Sequence, residues 1–444
     1  MPADEQDHRS GVYVAGQPRG DGAPAPPGYL PRLVDQQVER CLRTSRAVLI
    51  EGPRACGKTW TGRRFARSEV LLDSSDATRL AVQTDPGALL AGEPPRLIDE
   101  WQLVPDIWNP LRRACDDRNA NGQFILTGSA VPADDIMRHT GAGRVRRVQM
   151  RPMTSWETGE SDGSVSLGAL LAGRSPQATG QPLEIPRVVG AACRGGWPWM
   201  VDASAADAQE QLVDYIGEVS RTDLPHEGLR RRDPLAVRRL LASLGRNEAT
   251  AATYRTLATD VSGGRSGDVS PKAVKRYLDA LIRLFVIEPL PAWLPHTRST
   301  TQLRSTPKRY FCDPSLAVAS LAITADRLRS DIEFFGLVFE SLVMRDLRGY
   351  AQSNRATVSY YHDNAGLEAD AIVEGRDRSW VAFEVKLGGA ALIEHASNCL
   401  RRLRDKVDTK RMGAPSALVV VTAGQFGFDL GDGVSVVPFT SLGP

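Results

Sequence analysis

The sequence has no cysteine arrangement that would staple or metallate it. Its six cysteines stand far apart, at positions 41, 56, 115, 193, 312 and 399. No two have C-x-x-C spacing, and the one nearby histidine, His395 before Cys399, has no further Cys or His beside it to complete a zinc site. This argues against a disulfide framework and a structural zinc, and favours a reducing cytoplasm. Also missing is any apolar run near the ~20 residues that a bilayer span requires. The first thirty residues hold no cationic start followed by an apolar block, so neither a secretory signal nor a membrane partner is expected. Net charge is nearly absent: 55 Lys and Arg against 53 Asp and Glu give +2. The overall field therefore does not demand a polyanionic partner. Basic clusters at 230–232 and 401–404 read as solvated helix faces, and no internal repeat is visible.

What is present suffices for a large folded chain. With 444 residues, 42 % of them hydrophobic, about three domains of ~150 residues are expected. Residues 1–29 are polar and rich in Gly and Pro and read as a disordered arm. Leu33, Val34, Val38 and Leu42 then recur at helical spacing. Short apolar runs at 47–50, 70–72, 96–98 and 123–126 read as strands. Helix-length stretches between them imply βαβ units and a parallel sheet over 30–158, an α/β class. Residues 159–207 read as a linker with small helical elements, and 208–330 as helical. In 331–444 a long helix at 334–350 precedes strands at 358–362, 369–373, 380–385 and 417–421.

One motif is specific. Gly52-Pro53-Arg54-Ala55-Cys56-Gly57-Lys58-Thr59 satisfies G-x-x-x-x-G-K-[ST], follows a strand and opens a helix, so these residues and Trp60 are the nucleotide-binding candidates. Glycines let the backbone fold around a phosphate, with amides and the helix N-terminus aimed at one anion. Lys58 adds a point charge for the β- and γ-phosphates of ATP, and the Thr59 hydroxyl can ligate Mg²⁺. Leu97-Ile98-Asp99-Glu100 is an apolar strand ending in two carboxylates. Asp99 is the candidate to hold Mg²⁺ through a water, and Glu100 the candidate base. Taken alone such a pair is a solvated turn, but here it follows the loop with one strand between. Phe124 to Ser129 (F-I-L-T-G-S) is a further strand, whose Thr127 and Ser129 are candidate γ-phosphate sensors or an ordinary turn.

These residues resemble prokaryotic AAA-type ATPases with a C-terminal domain of unknown function, DUF4143. The likeness runs through the loop, L-I-D-E-W-Q-L-V-P-D-I-W from Leu97, F-I-L-T-G-S, G-A-G-R from Gly141 and M-R-P-M-T-S-W-E from Met150. It continues in G-G-W-P from Gly195, S-R-T-D-L from Ser220 and K-R-Y-F-C-D-P-S-L from Lys308, covering residues 30–400. It implies ATP binding and hydrolysis, a winged-helix-like middle and a nuclease-like end. By the same likeness Arg144 is either an arginine that reaches a γ-phosphate, in cis or across a subunit boundary, or a plain surface residue.

Two further constellations are weaker. Residues 250–261 and 270–285 have helix-turn-helix spacing, with 286–290 able to begin a wing. Such a module either reads DNA or docks a protein, and its second helix offers Lys272, Lys275, Arg276 and Arg283. Near the C-terminus, strand alternation puts Glu384 and Lys386 on one face, and a hairpin would bring Asp370 beside them. Glu340 on the preceding helix is a further candidate ligand. Two carboxylates and a lysine around a divalent metal suit phosphodiester hydrolysis, in a restriction-endonuclease-like fold. A charged strand edge with Lys386 paired to Asp370 is the plainer alternative. The leading expectation is an ATPase that drives or gates this C-terminal domain. The alternatives are an ATP-gated, metal-dependent DNA nuclease and a non-hydrolysing nucleotide-dependent binding module. Candidate partners are ATP, DNA, a protein and a second copy of the chain.

Overall fold

The computed structural model describes residues 26–72, 84–131, 141–176, 184–223, 234–263, 269–294 and 306–444. Most of the expected N-terminal arm lies outside them. Its last residues do not behave as an arm, because Tyr29 is anchored: its hydroxyl donates to Asp35 Oδ1 at 2.5 Å and lies 3.1 Å from Thr61 Oγ1.

The first unit is built from α1 (Asp35–Thr44), β1 (Ala47–Glu51), α2 (Lys58–Phe65), β2 (Ser68–Leu71), β3 (Arg96–Asp99), α3 (Trp108–Arg118), β4 (Phe124–Gly128) and β5 (Val145–Gln149). The strands form one parallel sheet in the order β2-β3-β4-β1-β5. Each central strand is a short apolar run because both sheet faces are covered. On one face Leu49, Ile98 and Leu126 pack on Trp101, Trp108 and Leu111. On the other, Val48, Leu97 and Ile125 share a core with α1 and with the helical region that follows. Strand β5 was not expected. Its V-R-R-V-Q pattern exposes two arginines, as an edge strand does, and so hides the apolar signal.

The described residues of 159–207 include the expected small helical elements, but these are packed into the fold rather than strung along a free linker. Strand β6 (Val165–Ser166) pairs in parallel with β15 (Leu442–Gly443), and α4 (Leu167–Leu171) buries Leu167 and Leu170 in the C-terminal core. Helices α5 (Ile185–Arg194) and α6 (Ala205–Glu218) then pack on each other. Next come α7 (Pro234–Arg246), α8 (Tyr254–Val261) and α9 (Pro271–Arg283), which Ser270 caps through its hydroxyl. An antiparallel pair follows, β7 (Ile287–Leu290) with β8 (Lys308–Phe311), and Thr250 bridges to Arg309. The connection 295–305, where a wing tip would fall, lies outside the described residues.

Short helices α10 (Pro314–Ser320) and α11 (Ala325–Ser330) lead to α12 (Ile332–Ser353), the central element of the C-terminal unit. It buries eight large apolar side chains, among them Phe335, Phe339, Leu342 and Tyr350. At ~1.5–3 kcal/mol for each such side chain, packing rather than helix propensity holds it. The second sheet contains β9 (Thr357–His362), β10 (Glu368–Glu374), β11 (Trp380–Lys386), β12 (Ala417–Thr422), β13 (Phe428–Asp429) and β14 (Val434–Pro438). Its order is β13-β14-β12-β11-β10-β9, with β9, β10 and β11 antiparallel and β11, β12 and β14 parallel. Helix α13 (Ala390–Lys406) covers the face opposite α12. Buried Arg345 of α12 bonds Asp313 at 3.0 Å and Ser155 Oγ at 3.0 Å, tying the three regions together. Among the described residues, no helix is long and apolar enough to cross a membrane.

Candidate functional site

Strand β1 delivers the chain into loop 52–59 at the carboxyl edge of the first sheet, and α2 leads it away from Lys58. Two glycines here are required. A Cβ on Gly52 would lie 2.0 Å from the Met150 carbonyl oxygen, and Gly57 has φ +102°. Ala55 also takes a positive φ, 61°, the kind of strain that collects at ligand loops. Gly57 caps α2 with no side chain, so the first amides of that helix stay free for an anion. Lys58 is buried, and its ammonium donates to the Pro53 carbonyl at 2.8 Å.

The acidic edge meets this loop. Thr59 Oγ1 donates to Asp99 Oδ1 at 2.9 Å, and Thr127 Oγ1 donates to the same oxygen at 2.5 Å. Sheet order explains the meeting, since β4 runs between β1 and β3. Glu100 takes the left-handed conformation, φ 54°, and its amide donates to Thr127 Oγ1 at 2.9 Å. Its carboxylate accepts from Ser129 Oγ at 2.8 Å and from the Gln102 amide. A cavity of about 600 Å³ opens here, lined by Ala55, Gly57, Lys58, Thr59, Trp60, Asp99 and Glu100 among others. Gly52, Pro53 and Cys56 are buried beneath the loop, and Arg54 is exposed away from the cavity.

Sequence reasoning missed several residues of this site. Arg32 is a buried strut: it donates to the Cys56 carbonyl at 2.7 Å, the Arg151 carbonyl at 2.8 Å and Glu157 at 2.9 Å. Tyr29 and Arg63 line the cavity, as does Trp199. Trp60 and Trp199 are each 46 % exposed, flat apolar faces of the kind on which a base stacks. The only advance sign was the tryptophan beside Gly195-Gly196-Trp197-Pro198. Arg144 is the correction. It precedes β5 at the amino edge of the sheet, where Ala47 pairs with Val145, and it pairs with Asp116 at 2.7 Å. The loop lies beyond the other end of β1, roughly 13 Å of strand away. Arg144 therefore does not reach this cavity in cis.

The C-terminal cluster assembles all four expected residues. The antiparallel register Ala371–Phe383 sets Asp370 beside Glu384. Lys386 Nζ stands 2.7 Å from Glu384 and 3.2 Å from Asp370. Glu340 of α12 joins through Lys308, whose Nζ is 3.2 Å from Glu340, 2.8 Å from Glu368 and 3.6 Å from Asp370. Tyr310 donates to Glu340 at 2.7 Å. Burial, helped by the Asp370 charge, pushes Glu340 up to about 7 and Glu384 up to about 8. Burial opposes ionisation of Asp370 too, but Lys386 and Lys308 hold it below the usual carboxylate value. Lys308, Tyr310 and Glu368 were not foreseen as members. The arrangement does not fit a divalent ion: beside the expected Lys386, a second ammonium, Lys308, lies against the carboxylates, and among the described residues no three His, Cys, Asp or Glu side chains are placed to hold a metal.

Comparison with known proteins agrees with the first unit. The model of an AAA domain matches residues 44–159, and that of a domain of unknown function, DUF4143, matches 335–442. Between them, residues 187–327 match a second domain of unknown function, DUF8612. Uncharacterized proteins of Mycobacterium bovis and Mycobacterium tuberculosis are each 28 % identical over 410 residues, covering 90 % of this chain and 82 % of theirs. Among solved structures, the Walker-type ATPase of Pyrococcus abyssi is similar at 14 % identity and TM-score 0.40, over 64 % of this chain and 94 % of that one. The Orc1 protein of Aeropyrum pernix, in complex with DNA, is similar at 13 % identity and TM-score 0.28, over 68 % and 96 %.

Proposed function

We propose that residues 26–158, together with Trp199, bind Mg-ATP in the cavity at the end of β1 and that the first unit hydrolyses its terminal phosphoanhydride. The observation that carries this reading is the meeting of the loop, the Thr59–Asp99 contact and Glu100 around one cavity. The amides of α2 and the Lys58 ammonium would hold the phosphates. Thr59 and Asp99 supply hard oxygen donors, which fit Mg²⁺. When bound, that ion would offset the phosphate charge. Glu100 is the group to take a proton from the attacking water, once its carboxylate turns from Ser129 and Gln102. Trp60 and Trp199 would flank the base.

Phosphate release and ATP affinity, measured on wild type, Lys58→Ala and Glu100→Gln, test the reading. Lys58→Ala is expected to lose both. Glu100→Gln is expected to keep affinity while turnover falls about 10²–10⁴-fold. Equal, near-zero release from wild type and both variants, with ATP still bound by wild type, would instead favour a nucleotide-dependent binding module. The helices α7–α9 and the β7–β8 pair are winged-helix-like in order, and the β9–β14 sheet with α12 and α13 resembles a nuclease core. The lysine-filled carboxylate cluster does not favour metal-dependent cleavage by that core. The shared core of the sheet and α6–α9 is the path by which nucleotide state would reach the helical middle.

A further inference from the structure

A cavity of about 990 Å³ lies apart from the nucleotide site. It lies where α1 and β5 of the AAA-type unit face β7, the end of α12 and the β10–β11 turn. Four arginines from four separate places line it: Arg40 on α1, Arg146 on β5, Arg355 just after α12 and Arg376 in the β10–β11 turn. Among the described residues none of these four side chains makes an ion pair or hydrogen bond, unlike their neighbours Arg151 and Arg348, which are taken up by Glu288. The other lining carboxylate, Glu374, accepts from Trp293 at 2.7 Å. Arg40 is held below its ordinary value by burial and by Arg355, Arg376 and Arg146, a sign that the four charges feel one another. Arg355 also holds φ 55°, a left-handed backbone uncommon for any residue but glycine.

Four uncompensated guanidinium groups brought together from the first and the C-terminal units repel one another, and the fold gains nothing from them until an anion arrives. Guanidinium forks match phosphate oxygens. Among the described residues no aromatic side chain lines the cavity, so it lacks the ring platforms on which bases stack best, and phosphate oxygens are the groups its cations suit. The space is too large for one phosphate group and is framed by several cations. We propose that this cleft binds the phosphate backbone of a nucleic acid, without reading its bases. The site is separate from the loop at 52–59, and the proposal stands whether or not ATP is hydrolysed.

Fluorescence polarisation with a labelled 30-base-pair duplex, across a salt series and without nucleotide, tests it. The proteins are wild type, a fourfold variant (Arg40→Gln, Arg146→Gln, Arg355→Gln, Arg376→Gln) and the exposed single changes Arg146→Gln and Arg376→Gln. At ~0.9 per neutralised phosphate, the salt slope should fall by about 3–4 in the fourfold variant and by about 1 in each single one. Between 50 and 200 mM salt, the wild type should lose roughly a hundredfold more affinity than the fourfold variant. Two duplexes of different sequence should bind alike. Unchanged slopes in the single variants would overturn the proposal. So would a wild type that fails to bind duplex at low salt while binding tripolyphosphate. The Lys58→Ala protein, which should bind duplex as wild type does, separates failure here from failure of the nucleotide reading.

Discussion

At the scale of single residues, the loop at 52–59 depends on groups that lie outside its own motif. Gly52 must be glycine because the Met150 carbonyl comes within 2.0 Å of where a Cβ would stand. Met150 ends the run from β5, so the constraint comes from a strand almost a hundred residues away. Arg32 is the companion case. It ties the Cys56 carbonyl to Glu157, and both charged side chains are 4 % exposed. Arg32→Met would strand Glu157 without its cation, which costs about 3–5 kcal/mol for a buried pair. Urea unfolding should show that loss, together with weaker ATP binding. A stability within ~0.5 kcal/mol of wild type would contradict the strut. Glu100 shows a limit of sequence reading, since its left-handed φ is invisible in an L-I-D-E string.

At the scale of elements, β8 decides the character of the C-terminal cluster. The pattern of β10 and β11 made Asp370, Glu384 and Lys386 legible, because side chains alternate along a strand. Lys308 was not legible as a partner. It reaches the carboxylates only because β8, more than fifty residues earlier, lies against α12 and β10. Lys308→Met should destabilise the protein by about 3–5 kcal/mol at pH 8, where it leaves buried carboxylates without their cation. The loss should be smaller at pH 6, below the values of about 7 and 8 to which Glu340 and Glu384 are raised, because protonation then removes the charge. Chemical denaturation at both pH values checks this; equal losses would contradict it.

For the whole molecule, buried acids set the response to pH. Burial raises Glu248 to about 8, although Ser341 and the Phe311 amide hydrogen-bond to it. A carboxyl raised in the folded state binds its proton more tightly there than in the unfolded chain. Its contribution to stability is therefore full below about 4.5 and is lost as pH rises towards 8. Glu288 runs the other way. Burial opposes its charge, but Arg151 and Arg348 hold it down to about 2, so its contribution is present above 4.5 and is lost as pH falls through that lower window. Stability should accordingly decline between pH 5 and pH 8, and Glu248→Gln should flatten the decline. Thermal melts across that range measure it, and an identical slope in the variant would contradict the assignment.

The chain's own order of residues determined the parallel sheet, the phosphate-type loop and the acidic edge. Each is local: a short apolar strand, a glycine-rich turn and the first turn of a helix carry their signal within ten or so residues. Tertiary structure alone decided that Arg32 and Trp199 belong to the cavity and that Arg144 stands at the far edge of the sheet. It also placed Lys308 among the carboxylates and set four arginines from separate elements around one cleft. Those outcomes depend on which distant elements pack together, and packing follows from burying apolar faces that many partner surfaces could satisfy.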